Sequence, residues 1–253
     1  MIDSHAHLND PRLYPIIKDV LNRASEAGVN EIIVPGYDLE SSILAAKIAG
    51  DFETCYAVVG VHPHDSNTYN EAVEQKLINL ASKKKIVGIG EIGLDYHYDN
   101  IDKTEQQKVF IAQLNLARNL GLPVVVHTRD ATEDTLEILL EYGQGLEGVM
   151  HCFSGSPEFA LTCINKLGFY ISIAGPVTFK NARVPLEVVK VVPLDKLLIE
   201  TDCPYLTPHP FREKTNEPMF VAYILNKISA ILGLERGFVE IKTIENTKRL
   251  FKI

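Results

Sequence analysis

Short apolar segments rich in valine and isoleucine recur eight times along this chain of 253 residues, and they limit the folds that it can adopt. Near-continuous apolar runs of this length are typical of strands that are covered on both faces. The segments read MIDSH, EIIVPG, CYAVVGVH, IVGIGEIG, PVVVH, EGVMH, FYISIAG and LLIETD. Amphipathic segments lie between them, at 15–27, 40–50, 71–83, 103–120, 131–142, 156–167 and 182–191. The alternation predicts parallel βαβ units, and eight such units predict an α/β fold, the (β/α)8 TIM barrel.

The C-terminal part of the chain, from residue 217 onward, predicts two further helices on the outside of this barrel. Their sequences are EPMFVAYILNKISAILG and RGFVEIKTIENTKRLF. A doubly wound open sheet is the alternative fold, but no glycine-rich dinucleotide fingerprint follows the first strand. Because α/β barrels of this length commonly form one unit, we expect a single domain over 1–253.

Composition narrows the classes of function. The net charge of −8 argues against a protein that coats nucleic acid, although an enzyme could still grip a nucleic acid locally. No apolar run approaches the ~20 residues that span a bilayer, so we expect no membrane partner. The cysteines are scattered without a CxxC pair, at Cys55, Cys152, Cys163 and Cys203. Free thiols suit a reducing compartment, and we expect a cytoplasmic protein.

Polar side chains that can bind metals fall at the predicted C-terminal ends of the strands. They lie after strands one, three, four, five, six and eight, as His5 and His7, His62, Glu91, His127, His151 and Asp202. In a barrel these ends converge on one face, which is where the active sites of this fold lie. The placement predicts one metal site built from distant parts of the chain.

The donor set suggests more than one ion. Even without His62, four imidazoles and two carboxylates are too many for one tetrahedral zinc with an open position, but they suit two divalent ions that share a bridging carboxylate. Glu91 can bridge, and no lysine ends strand four or five to form a carbamylated-lysine site. Mixed nitrogen and oxygen ligands fit zinc, manganese or iron, with magnesium also open. Two neighbouring ions suit hydrolysis by a metal-bridged hydroxide.

Several motifs together resemble the TatD family of metal-dependent hydrolases, within the amidohydrolase-like barrels. They are DSHAHL (3–8), VGVHPHD (59–65), GEIGLDY (90–96), QQKVFIAQLNLARNLGLPVVVHTRDA (106–131), HCFSG (151–155), GPVTFK (175–180), ETDCPYL (200–206) and NEP (216–218). The resemblance implies nuclease activity on DNA, often as a 3′–5′ exonuclease. It also implies a two-metal site at His5, His7, Glu91, His127, His151 and Asp202. Family members usually carry PFRGKRNEP where this chain has PFREKTNEP, so Glu213 and Thr215 remove one positive charge and some flexibility from that loop.

Other polar residues have more than one candidate role. Asp202 could bind metal, take the proton of the attacking water as a general base, or do both. His62 is our candidate contact to a substrate phosphate, whereas His64 is more easily explained as structural. Arg129 and Arg212 could hold phosphate oxygens, with surface salt bridges as the alternative.

The remaining candidates in these motifs are weaker. Lys180 is a less specific phosphate contact than the arginines, and His97 and His209 have no role beyond lying near loops. Because neighbours in a strand point to opposite faces, we expect Cys152 and Cys203 to face the core. We interpret Gly88, Gly90 and Gly93 as residues that permit a crowded backbone around Glu91.

The main hypothesis is a hydrolase that cleaves phosphodiester bonds in single-stranded DNA, with RNA as a further candidate substrate. The alternative is a metal-dependent deacylase or amidohydrolase that acts on an acyl ester such as aminoacyl-tRNA, since the same site could attack a carbonyl. A metal-binding protein without catalytic activity is a third class, but a full ligand set with a candidate base argues against it. The sequence predicts no oligomeric state.

Overall fold

The structure is a computed structural model that describes residues 1–98 and 101–253. Its strands form one parallel sheet in which each strand pairs with the next in chain order. The strands are β1 (Ile2–Asp3), β2 (Glu31–Pro35), β3 (Cys55–Val59), β4 (Ile86–Asp95), β5 (Val124–Arg129), β6 (Gly148–Met150), β7 (Tyr170–Ile173) and β8 (Leu197–Ile199).

Helices alternate with these strands and surround the sheet. They are α1 (Ile17–Glu26), α2 (Leu39–Asp51), α3 (Glu71–Ala81), α4 (Lys103–Leu120), α5 (Thr132–Tyr142), α6 (Pro157–Thr162), α7 (Val184–Val191), α8 (Val221–Leu232) and α9 (Arg236–Phe251). The predicted (β/α)8 barrel is therefore confirmed. The segment predicted as one helix over 156–167 has two parts. They are α6 and a wider π-helical turn, Cys163–Leu167, which follows it directly.

Backbone hydrogen bonds beyond the ends of β8 and β1 close the barrel. Ser4 N–H donates to the Ile199 carbonyl at 3.1 Å, and Asp202 N–H donates to the His5 carbonyl at 2.9 Å. His7 N–H donates to the Cys203 carbonyl at 2.8 Å. The N-terminal histidine segment is thereby held beside the chain that follows the last strand.

An apolar layer supports the site from within the barrel. Each of the strands β2–β8 contributes one residue to a buried cluster, and the end of α9 packs against it: Ile33, Val58, Val87, Val125, Val149, Tyr170, Leu198, Leu250 and Phe251. Because side chains alternate along a strand, His127 lies on the same side of β5 as Val125. His127 therefore points to the side of β5 on which this apolar layer lies.

Strand β4 is irregular around Glu91, where its register with β5 shifts between Ile89 and Ile92. A Cβ atom at Gly90 would lie 2.6 Å from the Cβ of Val125. At Gly93, which has φ +140°, it would collide with the carbonyl of His127. These contacts confirm the interpretation of the glycines as residues that permit close packing around Glu91.

Within the described residues, no single helix is long and apolar enough to cross a membrane. Two helical segments, Pro218–Leu232 and Arg236–Phe251, reach the length and apolar composition of a membrane span only when they are taken together. The chain bends by 113° between them.

Candidate metal centre

The N-terminal histidines lie beyond the first strand rather than at its end, because β1 ends at Asp3. Asp3 is buried and accepts hydrogen bonds from the Thr201 N–H at 2.9 Å and the Thr201 hydroxyl at 2.5 Å. Ala6 then pairs with Cys203 as an isolated parallel bridge. His5 and His7, on either side of Ala6, therefore point the same way, and their Nε2 atoms lie 3.3 Å apart.

Glu91 lies at the centre of the site, and its two carboxylate oxygens face different histidines. Its Oε2 is 3.5 Å from His5 Nε2 and 3.6 Å from His7 Nε2. Its Oε1 is 3.0 Å from His127 Nδ1 and 2.8 Å from His151 Nε2. One carboxylate thus joins a pair of histidines from the N-terminus to a pair from β5 and the end of β6.

Asp202 lies beside the two N-terminal histidines, His5 and His7. It follows β8 by three residues, and its Oδ1 is 3.4 Å from His7 Nε2 and 3.8 Å from His5 Nε2. The structure therefore brings together all six residues that the sequence predicted as ligands. The prediction that they end strands was wrong in detail, because Glu91 lies within β4, His127 within β5, and the others beyond strand ends.

The carboxylate at the centre stays ionised in spite of its burial. Burial acts to raise the pKa of Glu91, but the facing His151 and His62 hold it well below its ordinary value. Burial acts to lower the pKa of His151, whereas Glu91 and Glu200 raise it well above its usual range. Within the described chain, only histidines lie within ion-pair distance of Glu91. In this part of the structure, the groups that stabilise the charge of Glu91 at this distance are therefore histidines rather than lysine or arginine.

The donor atoms fit divalent cations. Ligand atoms of His5, His7 and Glu91 lie within 4.8 Å of one another, as do those of Glu91, His127 and His151. Ring nitrogens that face each other at 3.3 Å, in both histidine pairs, would direct lone pairs together unless a proton or cation lies between them. Imidazole nitrogen with carboxylate oxygen is a donor set suited to zinc, manganese and iron.

Two acidic residues that the sequence analysis did not select contact the outer nitrogens of these histidines. Asp95 Oδ2 lies 3.0 Å from His127 Nε2, and Glu200 Oε1 lies 3.2 Å from His151 Nδ1. Glu200 also accepts the Cys152 N–H at 2.7 Å. Histidine ligands of metals usually donate their second N–H to such a carboxylate, which fixes the tautomer and the ring. The sequence feature that could have identified Asp95 and Glu200 is their position within the segments GEIGLDY and LLIETD.

Asp95 also belongs to a further group of possible ligands, with His62 and His127. His127 uses Nδ1 toward Glu91 and Nε2 toward Asp95. A neutral imidazole has only one unprotonated nitrogen, so His127 can bind a metal either on the side of Glu91 or on the side of Asp95, but not on both. Nδ1 faces Glu91 at 3.0 Å and His151 Nε2 at 3.3 Å, within the cluster of histidines, which favours Asp95 as the partner that orients His127 through Nε2.

An open cavity of about 710 Å³ lies above this cluster. His62, His64 and Arg129 line it together with the proposed ligands. His62 Nε2 lies 3.5 Å from Glu91 Oε1, and burial lowers the pKa of His62 well below its ordinary value. His64 Nε2 lies 3.1 Å from Asp95 Oδ2. His64 is therefore closer to the site than a purely structural role would suggest.

Other polar candidates do not line this cavity. Arg212 donates to the Thr207 carbonyl at 2.8 Å, and its guanidinium carbon lies 3.9 Å from the centre of the Phe179 ring. His97 pairs with Asp130 at 2.8 Å. Lys180 and His209 are exposed and likewise absent from the lining.

The expectation that Cys152 and Cys203 both face the core is right for Cys203 and wrong for Cys152. Cys203 is fully buried, whereas Cys152 lines the cavity. Strand β6 ends at Met150, and Cys152 has φ +42°, so the alternation of faces that holds within a strand no longer applies. Burial, and then Asp202, raise the pKa of the Cys152 thiol well above its ordinary value.

Comparison with known proteins gives matches over the full chain. The family described as TatD related DNase matches residues 2–252. The metal-dependent hydrolase YabD of Bacillus subtilis (strain 168) is 46% identical, covering 100% of this chain and 99% of the relative. The 3′–5′ ssDNA/RNA exonuclease TatD of Escherichia coli (strain K12) is 37% identical, with the same coverage. The crystal structure of YJJV, a TatD homolog from Escherichia coli K12, has a TM-score of 0.94 and 29% identity, covering 100% of this chain and 98% of that one. The chain therefore belongs to the TatD-related DNase family of metal-dependent hydrolases.

Proposed function

We propose that this protein is a metal-dependent nuclease that hydrolyses phosphodiester bonds of single-stranded DNA, with RNA as a second candidate substrate. The observation that carries the proposal is the position of Glu91, whose two oxygens each face a separate pair of histidines below an open cavity. Such a shared carboxylate suits a pair of divalent ions. The family membership and the exonuclease relative support the nuclease assignment.

We infer that two ions bind, one with His5 and His7 and the other with His127 and His151, with Glu91 common to both. Manganese, zinc and magnesium are the candidates. Divalent ions at such a site lower the pKa of bound water and stabilise charge on phosphate oxygens. Asp202 would complete the ligand set of the ion held by His5 and His7, and it also lines the cavity.

Asp202 is also our candidate general base. Burial acts to raise the pKa of Asp202, but His7 and His5 hold it below its ordinary value, so the carboxylate is ionised and can accept a proton on an oxygen. Its Oδ1 already lies 3.4 Å from His7 Nε2 at the cavity floor. A water molecule between Asp202 and a substrate phosphate could transfer its proton to this oxygen.

Substrate contacts would come from the cavity wall. Arg129, at the end of β5, and His62 line the cavity, and both could hold the non-bridging oxygens of a phosphate. Arg212 would have to leave Thr207 and Phe179 to do so. Its assignment as a phosphate contact, like cytoplasmic location and the single domain over 1–253, stays a prediction. The acyl-ester alternative is not favoured by the family.

Cleavage of defined substrates by the metal-stripped and reloaded protein tests the proposal. Wild type should shorten a labelled single-stranded oligonucleotide after addition of manganese, magnesium or zinc, and should leave it intact in EDTA. Asp202→Asn should lower the rate further than Arg129→Ala, through loss of the base. No oligonucleotide cleavage with any of these metals, together with rapid hydrolysis of a simple carboxylic ester, would refute the nuclease assignment.

The role of Arg129 has its own comparison. Arg129→Ala should reduce oligonucleotide cleavage by roughly tenfold to a thousandfold at equal metal content, because the guanidinium contacts charge that develops in the transition state. Hydrolysis of an ester without phosphate should not change. Arg118→Ala is the matched control, because Arg118 is exposed on α4 and donates to Asn115 of the same helix and to the Tyr142 and Gln144 carbonyls, all outside the cavity lining. Unchanged oligonucleotide cleavage in Arg129→Ala would remove Arg129 from the site.

A further inference from the structure

Tyr205 is an exposed aromatic ring that is nevertheless fixed in place at the cavity mouth. Half of its surface (50%) is exposed, and it lines the cavity. Its hydroxyl donates to Asp10 Oδ2 at 3.4 Å. Arg12 donates to both oxygens of the same Asp10 carboxylate at 2.8 Å, and its guanidinium carbon lies 4.5 Å from the centre of the Tyr205 ring. Asp10 and Arg12 thus hold the ring without covering all of it.

Tyr98 has a similar arrangement elsewhere on the rim. It is 51% exposed and lines the same cavity. The guanidinium carbon of Arg129 lies 5.5 Å from the centre of its ring. His64 and His97 approach it edge-on, at centroid distances of 5.4 and 4.8 Å. Contacts with these three side chains restrict the ring while leaving about half of its surface exposed to solvent.

These two tyrosines flank the metal centre from opposite sides of the barrel. Tyr98 follows the end of β4 by three residues, and Tyr205 follows the end of β8 by six. In the sheet order, β5, β6 and β7 separate β4 from β8 on one side, and β1, β2 and β3 do so on the other. The proposed ligands Glu91, His127 and His151 line the same cavity as the two rings.

We propose that Tyr98 and Tyr205 are stacking sites for unpaired nucleobases on the two sides of the scissile phosphate. The inference rests on the proposed nuclease function and specifies how that site recognises its substrate. Every base has a π-face, so such stacking tolerates sequence and adds affinity for single strands. The guanidinium over each tyrosine is attracted to the face of the ring and helps to hold it in place.

A polynucleotide can occupy both rings at once, whereas a small aromatic ester can occupy only one. A phosphate bound above Glu91 places one nucleotide on each side of the scissile bond, and the two rings stand on two sides of the same cavity. With a net charge of −8, the protein has no general attraction for a polyanion. Base stacking therefore supplies affinity that the overall charge of the protein does not.

A cycle of protein and substrate changes tests the proposal. The substrates are a single-stranded thymidine oligonucleotide and the same strand with two abasic tetrahydrofuran residues at its 3′ end. The proteins are wild type, Tyr98→Leu, Tyr205→Leu and Tyr205→Phe, all loaded with manganese and compared at equal metal content. Tyr223→Leu is the matched control, because Tyr223 is also partly exposed (37%) but lies on α8 outside the cavity lining.

Wild type should cleave the ordinary strand faster than the abasic strand, by roughly fivefold to a hundredfold in kcat/KM for each base that stacks. Each leucine variant should lose that factor on the ordinary strand and lose little on the abasic one, whereas Tyr205→Phe and Tyr223→Leu should keep the wild-type preference. Equal losses on both strands in the leucine variants, or equal cleavage of both strands by wild type, would overturn the proposal. Failure of wild type to cleave either strand with any metal would instead refute the nuclease function itself.

Discussion

At the scale of single residues, Glu91 has the position on which the proposed chemistry depends. Its two oxygens face different pairs of histidines at 2.8–3.6 Å, and in the described structure no other carboxylate lies within ion-pair distance of both pairs. Asp202 reaches only the N-terminal pair within ion-pair distance. Loss of the charge on Glu91 should therefore affect both ions at once.

Replacement of Glu91 by glutamine tests this role. A neutral amide is a poorer bridging ligand than a carboxylate, so Glu91→Gln should bind fewer ions per chain than wild type and should also lose activity. Metal analysis after dialysis against a fixed manganese concentration gives the stoichiometry. Two tightly held ions per chain in this variant would contradict the bridging role.

Asp95 should act on metal binding through His127 rather than as a ligand. Asp95→Asn keeps the shape of the side chain but removes the charge beside His127 Nε2, so manganese affinity should fall by roughly tenfold to a hundredfold. Competition with a fluorescent chelator measures that affinity without reference to activity. Asp130→Asn is the matched control, because Asp130 pairs with His97 at 2.8 Å outside the cavity lining. Equal affinities of wild type and Asp95→Asn would refute the positioning role.

The sequence predicted the ligands better than their surroundings, for a physical reason. His5, His7, Glu91, His127, His151 and Asp202 were recognisable because histidine and acidic residues interrupt apolar strands at regular places. Asp95 and Glu200 occur in the same motifs, but their role depends on which ring nitrogen each of them faces. Cys152 was misplaced because the backbone turns to φ +42° just past β6, and strand alternation does not extend to such a position.

At the scale of secondary-structure elements, β1 is very short, and its attachment depends on Asp3. Only Ile2–Asp3 form the strand, while Asp3 accepts two hydrogen bonds from Thr201 beyond β8. Burial raises the pKa of Asp3 to about 8, although the hydrogen bonds from Thr201 act to lower it. The join between the first and last strands therefore contains a titratable group.

This group gives a pH dependence with a definite sign. An aspartate in the unfolded chain releases its proton near pH 4, whereas folded Asp3 keeps it until about pH 8. The folded state then binds more protons than the unfolded state, so stability falls as pH rises between these values, by at most about 1.4 kcal/mol per pH unit. In Asp3→Asn, an amide replaces the acid and this contribution disappears.

Urea denaturation of the EDTA-treated protein at several values between pH 5 and 8 measures the difference. The free energy of unfolding of wild type should fall more steeply with pH than that of Asp3→Asn. Parallel pH profiles for the two proteins would show that Asp3 is ionised in the folded state at neutral pH.

The helices and strands were largely predictable, since their apolar periodicity is strong. The segment 103–120 was predicted with the bounds that α4 has, and Asp102 begins this helix by accepting the N–H groups of Thr104 and Glu105. Strand ends were less predictable, because β1, β6 and β8 stop where the chain turns to form the site. The irregularity of β4 depends on contacts of Gly90 and Gly93 with β5, which no local pattern reveals.

At the scale of the whole molecule, an acidic protein is proposed to bind a polyanion, so few phosphate contacts should contribute. Each phosphate of a single strand that a basic side chain neutralises contributes about −0.7 to the slope of log affinity against log salt concentration. We expect a shallow slope of kcat/KM against potassium chloride in wild type, smaller by about 0.7 in magnitude in Arg129→Ala. The control Arg118→Ala should have the wild-type slope. An unchanged slope in Arg129→Ala would show that Arg129 makes no phosphate contact.

If phosphodiester cleavage depends on two ions that share Glu91, activity should follow the number of ions bound per chain. Metal-stripped wild type is titrated with manganese, while bound ions per chain and the cleavage rate of a single-stranded oligonucleotide are determined in the same samples. We expect little cleavage at one ion per chain and a steep rise as the second ion binds. Full activity at one ion per chain, or no cleavage at two, would contradict this expectation.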